Sequence, residues 1–212
     1  MTTTDSIAKP IRDYVFTHYL ASDNPFKSEV LSRAGNLVGA IAFVGSGACD
    51  AVAGTVTGIF AIVTAGTNSS FYTSMEFLDD AKCMFSKSYY HLLLVLNPSA
   101  EITGHAVLNA DGILAQLIRK TTDKAFEFYD NGNEKSFAKR VFATRLTLAL
   151  AAGVAIITRI ADGVLAIPLV ILSAALIGTS TKINTWAYRA LRAPGILEDL
   201  TFCIVKCINP AA

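Results

Sequence analysis

Two long apolar stretches dominate the chain, and each is built from two arms. The first pairs residues 30–44 with 51–65, and the second pairs 146–158 with 163–177. A short interruption carrying a carboxylate divides each pair: GSGACD, ending in Asp50, and RIAD, ending in Asp162. Arms of about 13 to 16 residues, rich in alanine and lacking strict alternation, predict helices rather than strands. Glycine relaxes the backbone restrictions that continue a helix, so GSGACD predicts a turn. Each stretch therefore reads as an apolar helical hairpin, over about 30–66 and about 146–178. Pro168, in the second arm of the second hairpin, predicts a kink.

An amphipathic pattern follows each hairpin. Phe71, Met75, Leu78, Phe85, Tyr89, Leu92 and Leu96 recur at steps of three, four and seven, which is one face of a helix over 69–96. Asp79, Asp80, Lys82 and Lys87 fall elsewhere on its surface. The second counterpart holds Trp186, Tyr188, Leu191 and GILEDLTFCIVKCI, broken at Pro194 and Gly195. These helices are expected on a surface, against lipid or a protein partner. Shorter amphipathic segments, 6–19 and 114–129, precede the hairpins.

The two patterns are in register with each other. A shift of 112 residues aligns Lys27 with Lys139, Arg33 with Arg145, Asp50 with Asp162, and Ile59 with Ile171. It also aligns Gly66–Thr67 with Gly178–Thr179, and the Asn-Pro at 97–98 with that at 209–210. Upstream, a shift of 110 pairs Asp13 with Asp123, Phe16 with Phe126 and Tyr19 with Tyr129. The slip of two falls in polar stretches, where loops accept insertions. The sequence thus predicts an all-α protein formed by tandem duplication of a unit of about 100 residues. Unit 1 is 1–100, a linker spans 101–112, and unit 2 is 113–212.

Composition sharpens the question of environment. Charged residues make up 17% and hydrophobic residues 52%, with a mean hydropathy of +0.45. Soluble domains carry about 25% charge. The helices must be wholly buried or enter lipid. A spanning helix needs about 20 apolar residues, so the arms are short for spans but within reach of thinning or partial insertion. A carboxylate at mid-bilayer costs at least about 2.5 to 3.5 kcal/mol. Placing Asp50 and Asp162 at hairpin tips avoids most of that cost. Arg159 and Asp162 are three apart and can pair on one face, whereas Gly47 stands where unit 2 has Arg159. Arg33 and Arg145 are expected at the near interface, where a long side chain can snorkel. Both hairpins would return to the side they entered. The alternative is a soluble bundle, cytoplasmic or secreted, whose Arg and Asp residues pair between helices.

Candidate chemistry is sparse. The net charge of +1 supplies no basic field for nucleic acid. His18, His91 and His105 form no metal-ligand spacing, and there is no HExxH or CxxC, so no metal or cofactor is expected. GSGACD lacks the Lys-Ser/Thr of a phosphate-binding loop, and no GxSxG elbow is present. The four cysteines read as thiols, buried or interfacial, and not as a disulfide framework. The N-terminal MTTTDSIAKPIRDY lacks the apolar core of a cleavable signal. These features point away from an enzyme, leaving a membrane-associated or partner-binding role, with lipid carriage as a further alternative.

The apolar arms around short polar turns, LVGAIAFVGSGACDAVAGTVTGIFAIV and LALAAGVAIITRIADGVLAIPLVIL, resemble the bilobed hydrophobic signature of chlamydial inclusion-membrane proteins. The resemblance covers about a third of the chain and is one of hydropathy, not of a residue motif. It implies secretion into a host-derived vacuole membrane, with polar segments facing host cytosol. It assigns no functional residues.

Overall fold

In the computed structural model the described residues are 10, 13, 24–67, 69–103, 112–130 and 137–212. The expected segment at 6–19 lies outside them except for Pro10 and Asp13. All regular structure among them is helical: α1 (Pro25–Val63), α2 (Ser70–Leu96), α3 (Ala115–Asp130), α4 (Phe137–Ala175), α5 (Thr181–Ala190), a 3-10 turn (Ala193–Gly195) and α6 (Ile196–Ile208).

The two expected hairpins are instead two unbroken helices. α1 and α4 each contain 39 residues, about 58 Å at 1.5 Å per residue. Neither GSGACD nor RIAD forms a turn, and α4 continues through Pro168. Packing explains why the glycines stay helical. A Cβ at Gly47 would lie 2.9 Å from Met84 Cβ, and one at Gly54 would lie 2.6 Å from Leu78 Cγ. The glycines are notches into which α2 settles, and the close packing this allows offsets their low helix propensity.

The buried face of α1 runs Asn36, Ala40, Phe43, Gly47, Asp50, Gly54, Gly58 and Ala61, in steps of three and four. On α4 the buried face includes Thr144, Leu148, Ala151, Ala155, Thr158, Asp162 and Ala166. Small and polar residues thus face inward. Close approach lets α2 hydroxyls bond α1 carbonyls directly: Ser74 Oγ donates to Gly54 O at 2.8 Å, and Ser88 Oγ to Ala40 O at 2.9 Å.

α2 is not the surface helix that its pattern suggests. α1 covers one side of it, while α5, the 3-10 turn and α6 pack on another. Phe71, Leu78, Met84, Tyr89 and Leu93 are buried, and so is Lys82. α3, α5 and α6 pack against α4. A buried chain of hydrogen bonds ties α2, α4 and α5: Tyr89 Oη donates to Ser173 Oγ at 2.7 Å, which donates to Asn184 Oδ1 at 2.7 Å. Asn184 Nδ2 in turn donates to Gly178 O.

Positions 112 residues apart adopt matching local structure. Ala65 and Ile177 have φ of 51° and 49°, and Gly66 and Gly178 have φ of 68° and 64°. Asn97 and Asn209 are both extended C-caps. The contacts at these turns are reciprocal. Asn97 Nδ2 donates to Ile177 O, and Asn209 Nδ2 donates to Ala65 O, each at 3.0 Å. Gly178 faces Leu93 and Ala100, while Gly66 faces Val205 and Ala212. Left-handed backbone is costly for a residue with a side chain, and here each strained carbonyl is held by the asparagine of the other half. Asn209→Ala should therefore cost about 1–3 kcal/mol by orphaning that carbonyl. Denaturant titration followed by circular dichroism would measure the loss, and an unchanged midpoint would contradict the assignment.

Arg33 and Arg145 act as helix caps. Arg33 Nη1 donates to Val95 O at 2.8 Å, and Arg145 Nη2 donates to Ile208 O at 3.1 Å. Each places a cation at the negative end of a neighbouring helix. These contacts also fix direction. The start of α1, the end of α2 and the end of α4 share one pole, and the start of α4, the end of α6 and the end of α1 share the other. α1 and α4 are antiparallel, and each runs from pole to pole once rather than returning to the side it entered.

Candidate functional site

The ionisable residues of the interior gather midway between the poles. Asp50 and Asp162 are each the twenty-sixth residue of their helix, and both are fully buried. They sit on continuous helices, not at tips. Asp162 Oδ1 accepts the backbone N–H of Leu114 at 3.2 Å, just ahead of α3, where a helix leaves N–H groups without internal partners. Its Oδ2 is buried with no hydrogen-bond partner. The approach requires Gly112, since a Cβ there would overlap Asp162 Oδ2.

The expected Arg159–Asp162 pair does not form. Arg159 Nε donates to Asp199 Oδ2 at 2.7 Å, and Nη1 donates to Arg192 O at 3.3 Å. Arg159 leans toward α6 because the chain there is interrupted: α5 ends at Ala190, and Pro194 and Gly195 lie in a 3-10 turn. A Cβ at Gly195 would lie 3.1 Å from both Arg159 Cζ and Lys82 Cδ. Two cations thus reach the first turn of α6, where Glu198 and Asp199 stand. Acidic residues suit that end of a helix.

Lys82 is the second of these cations, and its pattern position misplaces it at the surface. Its Nζ lies 2.5 Å from Glu198 Oε2 and 2.8 Å from Asp79 Oδ1. Burial by itself lowers an ammonium's pKa, but Glu198 and Asp79 outweigh it and hold Lys82 above the ordinary lysine value. Burial pushes the Glu198 carboxyl up, against the opposing pull of Lys82. A cavity of about 350 Å³ opens beside the centre, with Arg119, Thr122, Arg159, Glu198 and Asp199 on its polar side and Met75 and Phe202 on its apolar side.

What this arrangement does chemically is bind helices together. Its cations are committed to carboxylates. No group of three or more His, Cys, Asp or Glu able to hold a metal ion occurs among the described residues. All four cysteines are free. Burial pushes the Cys203 thiol up to about 12, far from a nucleophilic thiolate at neutral pH. His91 stacks on Phe43, ring centroids 5.0 Å apart, and its Nδ1 lies 2.8 Å from Asn36 Oδ1.

The unpartnered Oδ2 makes a discriminating pair of substitutions. Asp162→Asn keeps the Oδ1 acceptor and removes a buried charge, so stability should hold or rise. Asp162→Leu strips the acceptor from Leu114 and should cost about 1–3 kcal/mol. Equal losses in urea titrations of the two variants would show that the charge itself is needed.

Of the residues singled out by sequence, the structure brings Arg159 and Asp162 to one centre and places Asp50 at the matching height on α1. Arg33 and Arg145 stand at opposite poles. Sequence reasoning missed Lys82, Glu198, Asp199 and Arg192; the Pro194–Gly195 break was the one available signal. No protein-family model, curated protein or solved structure matches this chain.

Proposed function

We propose that this chain is a non-enzymatic integral membrane protein, a tandem duplication of one helical unit, that inserts α1 and α4 into a bilayer. The observation that carries the reading is the inverted polarity of these two helices. Between Arg33 and Glu76 the only charged residue is Asp50, and between Arg145 and Lys182 the only ones are Arg159 and Asp162; all three point inward. The outward faces expose Ile41, Val52, Phe60, Leu150, Ile157, Ile167 and Ile171, with Ile157 70% exposed. Water does not tolerate apolar surface on this scale without a partner, whereas lipid favours apolar exteriors over small and polar helix contacts. Both helices are long and apolar enough to cross a membrane. From Arg33 to Val63, α1 covers about 45 Å against roughly 30 Å of hydrocarbon, so the helices cross at a tilt. Basic side chains stand at both poles, Arg33 and Lys182 at one, Arg140 and Arg145 at the other. The matched turns and reciprocal contacts 112 residues apart support the duplication, with the second copy inverted relative to the first.

One observation favours a second reading, a water-soluble bundle whose flanks are covered by a protein partner. Glu76 and Asp79 on α2 are exposed at the height where Ser74 and Leu78 meet Gly58 and Gly54, well inside the apolar span of α1.

Cys49 separates the two. It is exposed at mid-length on α1. In a variant that retains Cys49 alone, purified and reconstituted into phosphatidylcholine vesicles, insertion should shield the thiol from a water-soluble maleimide until detergent is added. Prompt labelling of vesicle-bound or detergent-free protein would overturn the membrane reading. A high-salt wash is the proper companion test, because alkaline carbonate would perturb the fold itself.

A further inference from the structure

The halves differ most where α5 breaks into the 3-10 turn and α6, since the matching stretch of α2 is continuous helix. Besides admitting Lys82 and Arg159 on its inner side, this break leaves a groove of about 430 Å³ on its outer side. One wall is α4, with Gly163, Ala166 and Ile167; the other is Ala190 and Ala193, with Phe85 from α2. Small residues create the hollow: Gly163 carries no side chain, and a Cβ there would meet only Ala193, at 3.4 Å. The lining is almost wholly apolar, and it runs out onto the exposed face of α4, where Ile167 is 65% exposed.

A polar marker lies in line with the groove. Lys182, Trp186 and Ala190 are spaced by four on α5 and so form one stripe of that helix. Ala190 belongs to the groove, and Lys182 lies about 12 Å nearer the pole. The Lys182 ammonium sits 5.2 Å from the centre of the Trp186 ring. A Trp beside a Lys at the end of an apolar face is the usual anchor at headgroup depth.

From these features we infer a specific phospholipid site: an acyl chain fills the groove between Gly163 and Ala193, and the headgroup phosphate meets Lys182 beside Trp186. The inference rests on the membrane reading, which supplies the lipid, and adds that one lipid is held at a fixed place. The occupant is a lipid chain rather than a peptide, because the lining supplies almost no polar group to a backbone and the groove is continuous with the lipid-facing surface of α4.

The test uses the full chain in phosphatidylcholine vesicles doped with phosphatidylcholine carrying an acyl-chain diazirine. After illumination, peptide mass spectrometry should find adducts concentrated at 163–171 and 190–194. Gly163→Leu, which fills the groove, should abolish that concentration while adducts on the outer faces of α1 and α4 persist. Ala193→Leu fills it from the opposite wall and gives the same readout should the first variant fail to fold. Lys182→Gln should reduce groove adducts without changing the shielding of Cys49. Adducts spread evenly along α1 and α4, with Cys49 still shielded, would overturn the lipid site and leave insertion standing. Cys49 labelled in vesicles would remove both.

Discussion

Arg159→Leu is expected to lower the folding free energy by about 3–5 kcal/mol, the loss typical of removing one partner from a buried ion pair. The side chain is 3% exposed, its Nε holds Asp199, and its Nη1 holds the Arg192 carbonyl. Leucine would leave Asp199 facing a desolvated pocket, orphan that carbonyl and remove the cation nearest Asp162. Most of the loss is the penalty for stranded polar groups rather than the net worth of the pair. A double variant, Arg159→Leu with Asp199→Leu, should therefore recover a substantial part of it. Denaturant titration of wild type, both single variants and the double variant completes the cycle. A double variant as unstable as the sum of the singles would show that the two side chains act independently.

Raising the pH above about 9 is expected to destabilise the protein steeply. Burial pushes the Cys203 thiol from 9.0 to about 12, so the folded state keeps a proton that the unfolded chain releases. A group with a raised folded pKa contributes its full stabilisation below the unfolded value and loses it as pH climbs through the folded one. For Cys203 that window runs from pH 9 to about 12, and the full shift corresponds to roughly 4 kcal/mol. Burial raises Cys83, Tyr89 and Tyr188 as well, with the same sign. Lys82, held up by Glu198 and Asp79, loses its contribution above 10.5. Lys206 opposes the trend: burial lowers it, so its penalty is relieved as pH approaches 10.5. Folding free energies at pH 8 and at successive points above 9 should fall in wild type and fall less in Cys203→Ala. A flat profile would mean that these groups titrate alike in both states. The same expectation makes release by alkaline carbonate an unsound criterion for peripheral attachment of this protein.

The helical class was legible because alanine-rich arms and an amphipathic period of three and four leave little room for strands. The register between the halves was legible too, through Arg33 and Arg145, Asp50 and Asp162, and the two Asn-Pro pairs. What misled was GSGACD. Glycines and an aspartate in an apolar run have two physical explanations, a turn or a helix face built for close contact. Local propensity favours the first. The choice is made by α2, whose Leu78 and Met84 occupy the space that side chains at Gly54 and Gly47 would need. For the same reason Lys82 reads as solvated in a one-dimensional pattern. Glu198, which holds it, lies 116 residues away.

By itself, then, the sequence determined that the chain is helical, that its apolar stretches are long, and that its few interior charges recur in register. These follow from local propensity and periodicity, which neighbouring residues carry together. Only the tertiary structure decided that each apolar stretch is one helix, that the aspartates lie at mid-helix, and that each half caps the left-handed turn of the other. It also decided that a break in α5–α6 gathers Lys82 and Arg159 on one side while opening an apolar groove on the other. Those outcomes depend on which distant surfaces meet, because contact with a partner helix sets whether a glycine bends the chain and whether a charge is stranded or paired.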